Sequence, residues 1–192
     1  MAAEGGFVTV VSGLPRSGTS LMMQMLHAGG LPAWADGVRA ADDSNPRGYF
    51  EHEAVKRLRS DNTWLPQARG HVVKIIHLLL RELPQQAGLA YRVVFMQRPL
   101  AEVLASQQAM LAREGRPAAD PAVLHKAFET QLAQVEAWLA TRADIAVLRL
   151  VHAQVMQEPR AAAEQLCSFL GLPLDVAAMA AAVDPALHRQ RA

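Results

Sequence analysis

One short segment near the amino terminus constrains the fold more than any other part of the chain. Residues 7–11 are apolar and mostly β-branched, which is typical of a strand buried on both faces of a parallel sheet. A glycine-spaced turn follows, and residues 20–28 are rich in Leu and Met until a glycine pair at 29–30 ends the helix pattern. A strand, a glycine turn and a helix in direct succession predict an α/β domain with its ligand site at the turn.

The remainder of the chain continues the alternation of strand and helix patterns. Short apolar runs predict strands at residues 72–76, 92–96 and 145–148. Helix patterns cover residues 51–62, 99–113, 121–141 and 159–170, and a weaker pattern that contains Pro84 covers residues 78–87. Such alternation predicts βαβ units, and therefore an α/β three-layer sandwich whose mostly parallel central sheet of about four or five strands is flanked by helices.

The composition indicates one ordinary globular domain over residues 1–192. Hydrophobic residues make up 51% of the 192 residues and charged residues 19%, which excludes intrinsic disorder and low-complexity structure. The net charge of +1 offers no broad basic surface for duplex DNA, so we expect no nucleic-acid partner. The sequence leaves the oligomeric state open.

The amino-terminal sequence and the cysteine content indicate a soluble cytoplasmic protein. No basic start of a signal peptide is present, and the apolar run at residues 7–11 is far too short to span a membrane. Cys167, the single cysteine, can form neither an internal disulfide nor a cysteine-based zinc site. We therefore expect a reducing compartment and no membrane partner.

The glycine turn at residues 13–20 carries the spacing of the phosphate-binding pattern G-x-x-x-x-G-K-[ST]. Glycines let the backbone curl so that its N–H groups point inward, and the helix N-terminus adds about half a positive charge. This turn predicts a phosphate or sulfate site, the alternative being a tight turn without a ligand. Thr19 replaces the pattern's lysine, the cation is Arg16, and no predicted strand ends in an aspartate that could hold Mg²⁺, which disfavours magnesium-dependent phosphoryl transfer.

The core of this turn resembles the 5′-phosphosulfate loop of the sulfotransferases that use 3′-phosphoadenosine 5′-phosphosulfate (PAPS) as donor. The residues that carry the resemblance, and that it implies as donor-binding, are Pro15, Arg16, Ser17, Gly18, Thr19 and Ser20. A transferring sulfuryl group carries less charge than a phosphoryl group, so side-chain cations such as Arg16 and backbone donors could suffice without a metal.

The same resemblance implies a site for the 3′-phosphate of the donor. In the family an arginine at a strand end is followed eight residues later by a helical serine, and Arg98 and Ser106 have this spacing. Arg98 would offer a fork of donors suited to phosphate, and Ser106 would add a hydroxyl about two turns into the helix. Taken alone, the two residues are better explained as a solvated charge and an incidental serine, and it is their pairing with the phosphate loop that favours a 3′-phosphate site.

Residues 73–77 resemble the Lys-Thr-His stretch of the cytosolic members, whose histidine is the general base. Lys74 is implied as a cation near the bridging oxygen of the donor. His77 is displaced by one residue, a shift that turns a side chain to the opposite face of a strand. His77 is therefore either the base or a histidine that closes a buried strand.

Two carboxylates are further candidates for the base. Residues 45–51 resemble a stretch that follows the phosphate loop in bacterial sulfotransferase-like proteins, and a glutamate serves as base in some Golgi relatives. Glu51 and Asp36 are accordingly candidates, although Glu51 is equally suited to stabilise the N-terminus of its helix. Asp42 and Asp43 are better explained as loop surface.

Aromatic residues cluster in and just after the irregular segment at residues 34–50. They are suited either to an apolar acceptor pocket or to anchoring a long loop in the core: Trp34, Tyr49, Phe50 and Trp64.

The carboxy-terminal part extends the resemblance through most of the chain, with two departures. Residues 147–150, 157–159 and 169–173 resemble the family's strand, acidic-proline turn and Phe-Leu-Gly-Leu helix end. The family's Tyr-Glu-Asp is replaced at residues 152–154, and its late Arg-Lys-Gly loop is not recognisable, so Arg189 and Arg191 are either substitutes or a frayed basic tail.

The resemblance implies PAPS-dependent transfer of a sulfuryl group to a hydroxyl or amine of a small-molecule acceptor. Two alternatives stay open: an ATP-dependent small-molecule kinase, and a nucleotide-binding module without catalytic activity.

Overall fold

The structure, a computed structural model, describes residues 6–38, 48–117 and 120–184. Within these ranges four strands form one sheet: β1 (Phe7–Gly13), β2 (Val72–Lys74), β3 (Ala90–Gln97) and β4 (Ile145–Val151). The strand order is β2-β1-β3-β4, and each neighbouring pair is parallel. β1 and β3 therefore occupy the centre of the sheet, where their β-branched residues are buried on both sides.

The described part of the chain also contains seven α-helices and two short 3-10 helices. The α-helices are α1 (Thr19–Ala28), α2 (Glu53–Lys56), α3 (Leu100–Arg113), α4 (Pro121–Leu139), α5 (His152–Gln157), α6 (Pro159–Leu170) and α7 (Val176–Ala181). The 3-10 helices are Leu65–Ala68 and His77–Glu82.

Two apolar layers enclose the sheet, because successive strand residues point to opposite faces. Val10 and Phe95 contribute to the first layer, which also includes residues of α2, α4 and the two 3-10 helices. Val11 and Val94 contribute to the second layer, which also includes α1, α5, α6 and α7. The predicted α/β class and the arrangement of helices on both faces of a parallel sheet are confirmed.

Several predicted boundaries are wrong. The helix predicted over residues 51–62 is reduced to the four residues of α2, and β2 ends at Lys74 instead of residue 76. The segment at 78–87 contains most of the 3-10 helix His77–Glu82 and no α-helix, and the sequence patterns predict neither α5 nor α7. Over residues 51–62, too few apolar residues lie on one face to stabilise a longer helix.

The carboxyl ends of all four strands meet at one edge of the sheet. The glycine turn follows β1, Lys74 ends β2, Arg98 follows β3, and His152 follows β4. Ligands of open parallel sheets bind at this edge, so the topology brings the predicted site residues of three separate segments together. No helix among the described residues is long and apolar enough to cross a membrane.

Candidate functional site

The turn after β1 is curled as the glycine spacing predicts. Its two glycines have positive φ angles, 147° at Gly13 and 101° at Gly18, and Arg16 between them also lies in the left-handed region with φ 69°. A Cβ at Gly13 would lie 2.7 Å from the backbone oxygen of Met96, so the turn passes too close to β3 for a side chain. The amide of Ser17 donates to the carbonyl of Leu14 at 3.1 Å, which closes the turn.

The second glycine is required by a neighbouring side chain as well as by its backbone angle. A Cβ at Gly18 would lie 2.5 Å from Cδ2 of His152, the first residue of α5. His152 is only 7% exposed and packs directly against the start of α1. Gly18 is the N-cap of α1, so this contact fixes where the helix begins.

The turn also holds a buried hydroxyl that suits an anionic ligand. Ser17 is 1% exposed, and its Oγ has no hydrogen-bond partner among the residues that the structure describes. An unsatisfied buried hydroxyl costs about 1–3 kcal/mol, and a phosphate or sulfate oxygen would accept its hydrogen bond. With the N-terminus of α1 beside it, the turn fits the phosphosulfate group that the resemblance implies.

The predicted 3′-phosphate residues adjoin this turn. Nε of Arg16 donates to Oγ of Ser106 at 3.1 Å, and Nη1 of Arg98 donates to the backbone carbonyl of Arg16 at 3.1 Å. Ser106 is 3% exposed and lies on α3, which begins just after Arg98. The structure therefore brings Arg16, Arg98 and Ser106 into one connected group, although the turn and the segment that carries Arg98 and Ser106 are far apart in the sequence.

A carboxylate that the sequence reasoning missed completes this group. Glu102 lies in the first turn of α3, and its Oε2 accepts a hydrogen bond from Nε of Arg98 at 2.8 Å. The two side chains are 10% and 7% exposed, so the ion pair is largely shielded from solvent. The available sequence signal was the spacing of four residues between an arginine and a glutamate at the start of a helix pattern.

Lys74 lies on the other side of the turn and contacts three groups. Its Nζ is 3.2 Å from Oγ of Ser20, 3.0 Å from the carbonyl of Tyr49 and 3.3 Å from Oε1 of Glu51. The same ammonium lies 5.5 Å from the ring centre of Tyr49. Lys74 thus joins α1 to the segment at residues 48–51, and it brings Glu51 to the edge of the turn.

Asp36 contributes to the start of α2. Its Oδ2 accepts from the amide of Glu53 at 2.6 Å, and its Oδ1 accepts from the amide of Val38 at 3.0 Å. The hydrogen bond from the amide of Glu53, followed by the one from Val38, lowers the pKa of the Asp36 carboxyl below its usual value. Both carboxylate oxygens are therefore used in local backbone contacts.

His77 is buried beneath the turn. It is 1% exposed, and its Nε2 lies 2.9 Å from Oε1 of Gln131 on α4. Burial lowers the pKa of His77, an effect that the contact with Gln131 and the nearby backbone of Gly13 partly offset. His77 begins a 3-10 helix instead of continuing β2, so the strand-face argument from the sequence does not apply to it.

The aromatic residues divide between two environments. Trp34, Trp64 and His52 have nearly parallel rings, with centroids 5.8–6.4 Å apart, and the two tryptophans pack against the first apolar layer. Tyr49 is 5% exposed beneath Lys74, and Phe50 lies 5.7 Å from the ring of His27 on α1. These contacts anchor the segment that follows the turn.

Some predicted residues cannot be placed. The part of the 45–51 stretch before Gly48, the two loop aspartates and the two late arginines lie outside the described residues: 45–47, Asp42, Asp43, Arg189 and Arg191. Among the residues that are described, no group of three or more His, Cys, Asp or Glu side chains is placed to hold a metal ion.

Comparison with solved structures shows the class of fold. The chain is similar to the sulfotransferase domain of the olefin synthase from Synechococcus PCC 7002, with a TM-score of 0.60 at 14% sequence identity over 97% of this chain and 88% of that domain. It is also similar to the sulfotransferase domain from the curacin biosynthetic pathway, with a TM-score of 0.54 at 14% identity over 96% and 90% of the two chains.

No protein-family model matches the chain, and no curated protein matches it by sequence. The structural likeness at low identity shows the fold alone: the chain has the α/β fold that these sulfotransferase domains have. The fold that the resemblance implied is confirmed.

Proposed function

We propose that this protein transfers a sulfuryl group from PAPS to a hydroxyl or amine of a small-molecule acceptor. One observation carries the proposal: Arg16 of the turn is hydrogen-bonded to Ser106 and, through its carbonyl, to Arg98. A turn suited to a 5′-phosphosulfate and a pair suited to a 3′-phosphate thus share contacts, as recognition of one doubly anionic nucleotide requires. The fold of the sulfotransferase domains supports the same reading.

In this proposal the turn binds the anionic end of the donor, and Arg98 and Ser106 bind the 3′-phosphate. The backbone amides at the start of α1 and the buried hydroxyl of Ser17 would donate to the phosphosulfate oxygens. Ser106 accepts from Arg16, and a hydroxyl that accepts one hydrogen bond still has its own proton to donate to a phosphate oxygen.

When bound, PAPS supplies the sulfuryl group, whose bond to the 5′-phosphate oxygen breaks as the acceptor oxygen or nitrogen bonds to sulfur. Negative charge then develops on the 5′-phosphate oxygen that is released. Lys74 and Arg16 lie on opposite sides of the turn, where their cations would stabilise this charge without a metal.

We propose that the carboxylate of Glu51 is the general base that takes the proton from the acceptor. Its carboxylate contacts Lys74 at 3.3 Å and its side chain is 29% exposed, so an acceptor has access to it. His77 is buried and contacts Gln131, and Asp36 uses both oxygens to bind backbone amides. A Glu51→Gln variant should bind the nucleotide like the wild type and lose most of the transfer rate. A His77→Gln variant should retain the transfer rate of the wild type.

Calorimetry with adenosine 3′,5′-bisphosphate tests the donor assignment. The wild type should bind it more tightly than adenosine 5′-monophosphate. The double variant Arg98→Ala/Ser106→Ala should lose at least about a hundredfold in affinity for the bisphosphate and retain its affinity for the monophosphate. Arg149→Ala is the matched control, because it removes a cation that is paired with Glu136 and lies on β4, a strand separated from β1 by β3. Equal affinity of the double variant and the wild type would refute the assignment.

Two further measurements separate the alternatives. A kinase should be stabilised against thermal unfolding by ATP with Mg²⁺ and should be indifferent to the 3′-phosphate. A nucleotide-binding module without activity should be stabilised by adenosine 3′,5′-bisphosphate and yet release none of it from PAPS, with para-nitrophenol or benzylamine as probe acceptors. We expect stabilisation by the bisphosphate and measurable release.

The single cysteine, Cys167, supports a cytoplasmic location for this activity.

A further inference from the structure

We propose that Glu102 is a positioning residue that holds the guanidinium of Arg98 and thereby sets the preference for nucleotides with a 3′-phosphate over those with a 3′-hydroxyl. The inference rests on the proposed function, because it concerns selectivity at the same donor site. It assigns a task to a buried carboxylate that the transfer chemistry does not use.

The first observation is the placement of the ion pair. Arg98 directly follows the end of β3, and Glu102 lies four residues later in the first turn of α3, so the ion pair links the end of the strand to the start of the helix. Nε of Arg98 donates to Oε2 of Glu102 at 2.8 Å, and both side chains are at least nine-tenths buried. A buried ion pair is little screened by water or salt, so its geometry is well defined.

The second observation is that Arg98 has another anchor in the turn. Nη1 of Arg98 donates to the carbonyl of Arg16 at 3.1 Å, while its Nε is held by Glu102. Two hydrogen bonds at different nitrogens fix the plane of a guanidinium, which otherwise has many rotamers. Arg16 in turn contacts Ser106, so Glu102 supports the arrangement of all the groups assigned to the 3′-phosphate.

Glu102 has two opposing effects on a bound phosphate. Its negative charge weakens the attraction of Arg98 for an anion, whereas its hydrogen bond holds the Arg98 donors in place before the nucleotide arrives. We infer that the second effect is larger, because binding to an unanchored arginine would have to order that long side chain first. Charge and contact can be separated, since glutamine retains the acceptor oxygen without the charge and aspartate retains the charge with a shorter reach.

The experiment measures the affinity of three variants for two nucleotides by calorimetry. Glu102→Asp, Glu102→Gln and Glu102→Ala are each titrated with adenosine 3′,5′-bisphosphate and with adenosine 5′-monophosphate, and selectivity is the ratio of the two dissociation constants. We expect selectivity to fall about tenfold in Glu102→Asp and Glu102→Ala, and to stay within about threefold of the wild type in Glu102→Gln. The affinity for the monophosphate should change little, which also shows that each variant is folded.

The opposite order of effects would overturn the inference. If Glu102→Asp keeps the wild-type selectivity, or if Glu102→Ala gains selectivity, charge and not contact is what matters. Glu136→Ala, which removes the partner of Arg149 outside the site, is the control and should leave the ratio unchanged. If Glu102→Ala does not fold, the Asp and Gln variants still decide the question. A wild type with no selectivity would instead refute the proposed function.

Discussion

Arginines with several hydrogen bonds lie both at the amino ends of the strands, called the amino edge, and at their carboxyl ends, called the carboxyl edge, but their partners differ. At the amino edge, Arg142 donates to both carboxylate oxygens of Asp144 and to the carbonyls of Leu83 and Pro84, and it lies 4.8 Å from the ring of Trp138. Those hydrogen bonds hold Asp144 ionised, so its pKa is lowered. At the carboxyl edge, Arg16 and Arg98 contact a serine, a glutamate and the backbone of a strained turn.

We infer from this difference that the amino edge contributes mainly stability, whereas the carboxyl edge has the features of the proposed binding site. At the amino edge, hydrogen bonds from Tyr91 and Arg142 join the first residues of β3 and the residues before β4 to the segment at residues 83–84. Burial there raises the pKa of Tyr91 to about 12. At the carboxyl edge, the positive φ angle of Arg16, which is not a glycine, and the buried hydroxyl of Ser17 cost stability. Strain and unsatisfied groups of this kind are typical of ligand sites, where binding offsets them.

The largest effect should follow substitution of the turn glycine that packs against His152. Gly18→Ala places a methyl group 2.5 Å from His152 at φ 101°, and we expect a loss of about 4 kcal/mol in the free energy of unfolding. Gly30→Ala is the control, because Gly30 has a similar φ of 97° and no atom within 4 Å of its Cβ position. It should lose only about 1–2 kcal/mol in the same urea titration. Equal losses would show that the His152 contact is unimportant.

Removing the arginine at the amino edge should reduce stability without changing nucleotide selectivity. Arg142→Ala leaves Asp144 without its ion-pair partner, and we expect a loss of about 3 kcal/mol in the free energy of unfolding. The ratio of affinities for adenosine 3′,5′-bisphosphate and adenosine 5′-monophosphate should stay at the wild-type value. Arg160→Ala, at an exposed pair with Glu164, should lose less than about 1 kcal/mol. A change in selectivity in Arg142→Ala would break the contrast between the edges.

Acidification should weaken the fold through His77. Because burial lowers its pKa in the folded state below the ordinary 6.5, the unfolded chain binds the proton more tightly, and stability falls as pH drops below about 6.5. This contribution is at most about 1.4 kcal/mol per pH unit. Chemical denaturation between pH 7 and pH 5 should show a smaller loss in His77→Gln than in the wild type. His125→Gln, at an exposed position, should lose stability as the wild type does.

The smallest effect is the coupling between the two ends of the donor site. In a double-mutant cycle, Arg16→Ala and Ser106→Ala should be non-additive by about 1 kcal/mol for binding of adenosine 3′,5′-bisphosphate, because each residue loses its contact when the other is removed. Calorimetry of the four proteins gives this value. Additive effects would mean that the two ends bind independently.

The sequence predicted the fold where local patterns and tertiary packing agree. Residues 7–11 and 92–96 are mostly apolar, with buried side chains on both faces as central parallel strands require, and β1 and β3 extend slightly beyond them. The prediction failed over residues 51–62, where Ala54, Val55 and Leu58 are the only apolar residues. Too small an apolar face leaves a helix marginal, so the chain ends α2 early and brings Trp64 to stack with Trp34.

The site was predictable only as far as its motifs are local. The glycine spacing and the separation of Arg98 from Ser106 can be read within short windows of the sequence. The contact of Arg16 with Ser106, in contrast, joins residues 90 positions apart. The packing of His152 against Gly18 and the reach of Lys74 to Glu51 depend in the same way on strand order, which no short window of sequence contains. Long-range contacts of this kind require the folded chain.

A crystal structure with adenosine 3′,5′-bisphosphate bound tests the central claim most directly. We predict that the 5′-phosphate lies against the amides at the start of α1, with the hydroxyl of Ser17 donating to it. The 3′-phosphate of the same molecule should lie within hydrogen-bond distance of Arg98 and Ser106. A nucleotide held at only one of these places, with its 3′-phosphate in solvent, would contradict the account.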